Sequence, residues 1–203
     1  MQHIFGIDIN KINKDDLIYL LEYEVVEDKR LEYKGAFEPN NPEWKRKFLK
    51  VISSFANTSG GLLIYGISEE KGVPKKFEPL DIEDFDKTRI ILQDIVRSRT
   101  EPIIPNLEVV TVDILDENNI VLIIKVLKSW NGPHRVKMNG KREFYIRIDG
   151  KSTEMDILEL RNALTCQKHC LKKLQISNKI EFQIYYLTIH RSLSMKAQKQ
   201  FCT

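Results

Sequence analysis

Long apolar runs are missing from this chain of 203 residues: none approaches the roughly 20 consecutive apolar residues of a membrane-spanning helix. The opening Met1-Gln2-His3-Ile4-Phe5-Gly6-Ile7-Asp8 also lacks a basic region followed by an apolar one, so neither a membrane anchor nor a secretory leader is expected. Cysteine is scarce. Its three residues, Cys166, Cys170 and Cys202, all fall in the C-terminal fifth, which denies the core a disulfide framework and suits a reducing, cytoplasmic compartment. Nine glycines and seven prolines are too few for a long flexible linker, and no internal repeat or low-complexity segment is visible. A Gly-x4-Gly-Lys-Ser/Thr phosphate loop is absent as well.

What remains is an ordinary globular composition. With 42% hydrophobic residues, the chain can bury a sizeable core without a structural metal. The net charge of +3 is unevenly spread: residues 166–203 hold seven Lys/Arg against one Glu, a balance of +6, which leaves residues 1–165 at −3. A domain over 1–165 with a basic extension over 166–203 is therefore expected. The tail cations Lys168, Lys172, Lys173, Lys179, Arg191, Lys196 and Lys199 suit nonspecific attraction to phosphate or a solvated extension equally. Cys166, His169 and Cys170 supply only three close zinc ligands, with no second pair at a useful distance.

Periodicity and punctuation predict alternating elements. Asn13 caps a short helix over 14–24 with Leu17, Leu20 and Leu21 on one face. Alternation over 30–34 predicts a half-buried strand with Leu31 and Tyr33 inward and Glu32 and Lys34 together on the other face. Asn41-Pro42-Glu43 starts a helix carrying Trp44, Phe48, Val51, Ile52 and Phe55, which stops at Gly60-Gly61; an apolar strand then runs from Leu62 to Ile67. A second long helix is expected over 81–99, and β-branched runs at 107–114 and 120–127 flank Asp116-Glu117-Asn118-Asn119 as a hairpin. Asn139-Gly140 marks another hairpin, whose second strand ends at Asp149-Gly150, and Thr153 with Asp156 reads as the capping box of a final helix. The fold class is α+β, a mixed or antiparallel sheet flanked by helices.

The chemistry-bearing residues concentrate early. Glu27-Asp28-Lys29-Arg30-Leu31-Glu32-Tyr33-Lys34 precedes Phe55-Ala56-Asn57-Thr58-Ser59-Gly60-Gly61, and Glu69 and Glu70 lie just beyond the following strand. Acids placed at element ends in this way suit a divalent cation, although solvated surface acids produce the same spacing. The odd offset from Glu27 to Glu32 would put them on opposite faces of one strand, so Glu27 belongs in the preceding turn. Gly60-Gly61 follows a helix C-terminus, where glycine caps the helix; phosphate favours the opposite end.

This pattern resembles the Schlafen-type AlbA domain, also called the Schlafen AlbA-2 domain, from about Leu17 to about Leu164. Pro133-His134-Arg135, Phe144-Tyr145-Ile146-Arg147 and Gly150-Lys151-Ser152-Thr153 recur in the same order. Tyr33 stands where the family motif has Phe, and Ser68-Glu69 stands where many relatives show aspartates. The resemblance implies a nucleic-acid-binding domain with metal-dependent endoribonuclease activity on structured RNA such as tRNA. It assigns Glu27, Glu32 and Glu69 as catalytic ligands of Mg²⁺ or Mn²⁺, with Lys34 steadying a phosphate oxygen. His134, Arg135, Arg147 and Lys151 are then candidates for the nucleic-acid backbone. Because nuclease relatives use two such lobes, it also implies a homodimer. Two alternatives accompany it: a non-catalytic DNA- or RNA-binding regulatory module, and the ATP-binding module that relatives are often labelled.

Overall fold

Two asparagines start the first helices. Asn13 accepts the backbone N–H groups of Asp15 and Asp16 at 2.8 and 3.2 Å, and the Asp16 carboxylate accepts the Asn13 N–H, so a capping box opens α1 (Lys14–Glu22). Asn41 accepts from Glu43 at 2.9 Å, and Pro42 occupies the first position of α2 (Pro42–Asn57). That helix ends as expected: Thr58 and Gly60 both donate to the Phe55 carbonyl, and Gly60 takes φ +71°. A Cβ on Gly60 would meet the Val126 carbonyl oxygen at 2.6 Å, and one on Gly61 the Phe55 ring at 2.5 Å, so both glycines answer to turn geometry and close packing. These helices belong to a computed structural model that describes residues 8–105, 107–114 and 119–165.

The third helix is shorter than its apolar pattern predicts. Asp84 caps it by accepting the Lys87 N–H at 2.9 Å, giving α3 (Phe85–Arg99). Upstream, Leu80–Asp81 is a two-residue strand. A last helix begins at 157, and its described part runs to 165 (α4). Its capping box is Asp156 with Glu159, three residues later than expected: Asp156 accepts from Leu158 and Glu159, and Glu159 accepts from Asp156. Thr153 instead lies in a strand.

The strands are β1 (Leu31–Lys34), β2 (Gly61–Tyr65), β3 (Ile67–Glu70), β4 (Val73–Phe77), β5 (Leu80–Asp81), β6 (Thr100–Glu101), β7 (Leu107–Asp113), β8 (Asn119–Val126), β9 (Arg135–Met138), β10 (Lys141–Ile148) and β11 (Lys151–Glu154). The main sheet is mixed. β1 pairs β2 in parallel, and β8 runs antiparallel to β2, β5 and β7. Since β7 follows β8 from Leu107↔Val126 to Asp113↔Ile120, β2 and β5 share its other edge in succession. A second sheet, in the order β11-β10-β9-β6, is antiparallel, and β3-β4 is a separate hairpin.

Gly66, at φ +96°, breaks the predicted run from Leu62 to Ile67. The chain turns there and leaves the main sheet for β3, whose partner β4 was concealed by Pro74 and two lysines. The Asn139-Gly140 turn behaves as read, with φ +52° and +77°. Residues 115–118, the tip of the expected β7–β8 turn, and the 166–203 extension with its cysteines lie outside the described residues.

Side chains of the main sheet fill two cores, one on each face. Leu63, Tyr65, Leu122, Ile124 and Val126 pack with α2, α3, Val136 and Tyr145. Leu31, Tyr33, Leu62, Ile64, Val121 and Ile123 pack with Ile9 and the Leu17 and Leu20 side chains of α1. The architecture is α+β, and the described elements up to Ala163 form one compact unit. No described helix is long and apolar enough to cross a membrane.

Candidate functional site

Alternation along β1 decides where the acids point. Leu31 and Tyr33 enter the core beneath α1, so Glu32 and Lys34 face the opposite side at the edge of the sheet. There Lys34 Nζ lies 2.8 Å from Glu32 Oε1 and 3.7 Å from Glu27 Oε1. The other Glu32 oxygen accepts from Arg147 Nη1, which reaches in from β10. Arg147 Nη2 donates to the carbonyls of Asp28 at 2.8 Å and Leu31 at 3.2 Å, and the guanidinium stacks 4.7 Å from the Phe55 ring centre. Its side chain is wholly screened from solvent. Ser152 Oγ lies 3.3 Å from Arg147 Nη1 and 2.8 Å from Ser54 Oγ, which joins β11 and α2 to the same network.

Glu27 lies off β1, as its offset from Glu32 requires, in the irregular segment just ahead of the turn at Lys29 and Arg30 and not in that turn itself. Its Oε1 accepts the Tyr33 N–H at 2.8 Å, and its own N–H donates to the Gly72 carbonyl at 2.7 Å. Gly72 sits in the β3–β4 turn, where its N–H donates to Glu69 Oε2 at 2.7 Å. That turn therefore draws Glu69 towards Glu27. Burial holds the Glu27 carboxyl above its ordinary range, and the charges of Glu32 and Glu69 push it in the same direction, opposed by the Tyr33 N–H and Lys34. All three acids thus share one corner of the fold.

Convergence is not ligation. Both Glu32 oxygens are taken by protein cations, Glu27 Oε1 by a backbone donor and Glu69 Oε2 by another. Among the described residues no group of three or more His, Cys, Asp or Glu side chains is arranged to hold a metal ion. As arranged, the donor set does not fit Mg²⁺ or Mn²⁺, which need several free oxygens converging on one point. Lys34, expected to steady a phosphate oxygen, instead bridges the two glutamates.

The candidate backbone contacts need correction for two of four residues. His134 is fully buried: its Nδ1 lies 2.7 Å from the Pro102 carbonyl, and its backbone is held on both sides by the Asn57 amide. Arg147 is the buried partner of Glu32. Neither presents its cation to a phosphate. Arg135 is partly exposed but pairs with Glu101 at 2.8 Å, and Lys151 is exposed beside the β10–β11 turn. Asn57 and Thr58 cap more than their own helix: Asn57 Nδ2 also donates to Tyr145, and Thr58 Oγ1 accepts the Arg147 N–H at 3.0 Å.

One basic surface escaped the sequence reading. Lys45 of α2 and Arg97 and Arg99 of α3, together with Asp94, line a groove of about 640 Å³ whose apolar lining includes Leu49, Ile95 and Met138. None of the three cations makes an ion pair among the described residues. Basic residues in a last helical turn read simply as complements to the helix dipole, so only the packing of α2 beside α3 reveals the groove.

A family model described as Schlafen, AlbA_2 matches residues 27–156 of the chain. Among solved structures, the DIP2311 protein from Corynebacterium diphtheriae is similar at 19% identity with a TM-score of 0.49. The match covers 76% of this chain but only 28% of that protein. No curated protein matches the chain.

Proposed function

The chain belongs to the Schlafen AlbA_2 family, and from that premise we propose that it is a nucleic-acid-binding domain, acting on RNA, whose acidic corner organises the surface without cleaving the strand. One observation carries the non-catalytic form: Glu32 spends both oxygens on Arg147 and Lys34. A cation entering there has to displace Lys34 and compete with a buried guanidinium whose ion-pair partner among the described residues is Glu32 alone. Attraction to phosphate falls to surfaces elsewhere, and Lys45, Arg97 and Arg99 around the α2–α3 groove supply unpaired charge for it. The choice of RNA rests on the likeness of the Glu27-x4-Glu32 segment to nuclease relatives.

The test incubates purified protein with labelled tRNA and labelled single-stranded DNA, in Mg²⁺, Mn²⁺ or chelator, beside Glu27→Gln and Glu69→Gln variants. The reading expects salt-sensitive binding in chelator and intact strands under every condition, for the parent and for both variants. Metal-dependent cleavage lost in either variant would replace it with the endoribonuclease reading. Absence of binding to both strands at low salt would remove it altogether.

A further inference from the structure

We propose that the loop 127–132, held against the Gly60-Gly61 junction, forms a site for one step of a single-stranded nucleic acid, with a phosphate on Lys128 and a base on Trp130. The inference rests on the nucleic-acid reading above and names the surface and strand form it would use. Arg30, Ser59, Gly60, Lys125 and Lys128 line a cavity of about 100 Å³ at the end of β8. Lys125 is already 3.1 Å from Glu108, and Asp8 feels its charge. Lys128, by contrast, is exposed and makes no ion pair among the described residues.

Gly60 brings the segments together. With no side chain it lets the backbone of Val126 to Lys128 approach so closely that a Cβ would stand 2.9 Å from the Lys128 nitrogen. The following loop is tethered rather than loose: Ser129 donates to the Ala56 carbonyl at 2.9 Å, Asn131 donates to Ser129 Oγ, and His134 donates to Asn57. On this fixed loop Trp130 is 66% exposed and Leu127 54% exposed. A large indole held in water, two residues from an unpaired lysine, matches the pairing of stacking platform and phosphate contact by which proteins hold single strands. The α2–α3 groove offers cations, but no aromatic ring lines it to take a base.

Two tryptophans make the site readable by intrinsic fluorescence, because Trp44 is buried and Trp130 is not. Protein is titrated with a single-stranded oligouridylate, a duplex of equal length and ATP, while anisotropy of labelled oligouridylate reports binding independently. The expected result is quenching by the single strand that persists in Trp44→Phe and vanishes in Trp130→Ala. Trp130→Ala weakens binding about tenfold, and Lys128→Ala lowers the salt slope by about 1. Binding seen by anisotropy but unchanged in both variants would overturn the site and leave the nucleic-acid reading standing. No binding by anisotropy at low salt would remove both. Quenching by ATP with none by the strand would show that Trp130 takes a free nucleotide, which overturns the strand assignment.

Discussion

Arg147 closes on Glu32 from a strand 115 residues further along the chain, with its side chain fully screened and that of Glu32 11% exposed. Such a pair is stabilising only in company, because each charge has lost its water. Glu32→Gln or Arg147→Met alone leaves the other charge buried and is expected to cost about 3–5 kcal/mol in urea unfolding. The double variant recovers most of that loss. Single variants that each cost well under about 1 kcal/mol would show that the pair is solvated, as exposed pairs are.

Glu27 predicts a pH signature. A carboxyl raised in the folded state keeps its proton where the unfolded chain has released it, so stability falls as pH rises from the ordinary value of 4.5 through the folded one. Glu27→Gln retains an oxygen for the Tyr33 N–H and removes the charge. Its melting temperature should exceed that of the parent at neutral pH, with the gap closing below about pH 4, where both forms of Glu27 are uncharged. A gap independent of pH would count against the electrostatic account.

His134 has the opposite sign. Burial lowers its affinity for a proton, and among the described residues Nε2 has no partner to receive an added N–H. Unfolding lets the ring charge, so stability contributed by neutral His134 is complete above the ordinary value of 6.5 and declines as pH falls below it. In NMR titration its ring resonances should stay in the neutral form well below that of a free histidine. A midpoint at or above 6.5 would show that solvent reaches the ring.

Gly60→Ala tests the helix cap. The left-handed backbone costs an alanine about 1 kcal/mol, and its Cβ would press on the Val126 carbonyl from 2.6 Å. Thermal unfolding should report a loss larger than that backbone cost alone. A neutral substitution would mean that the turn relaxes freely.

How much of this was legible in the linear chain varies with the range of the cause. Caps at Asn13 and Asn41, the Asn139-Gly140 turn and the alternation of β1 are written within four residues of where they act, and the structure reproduces them. The pairing of Lys34 with Glu32 was legible for the same reason. By contrast, β4 contains a proline and two lysines that disguise a strand, and the tiny strands β5 and β6 exist only because their partners are close. Arg147 and His134 look like surface cations in isolation; their burial is decided by Phe55, Glu32, Asn57 and Pro102, all distant in sequence. The same distance hid the fact that the acids would arrive already partnered.

The span between Glu32 and Arg147 also orders the life of a nascent chain. β1, α2 and β2 leave the ribosome long before β10 does, so Glu32 must wait in water, with Lys34 as its local cation, for its guanidinium to be synthesised. Any fragment ending ahead of Arg147 would carry that acid without its buried counterion, and proteases that survey half-made chains would meet an N-terminal half still missing its keystone.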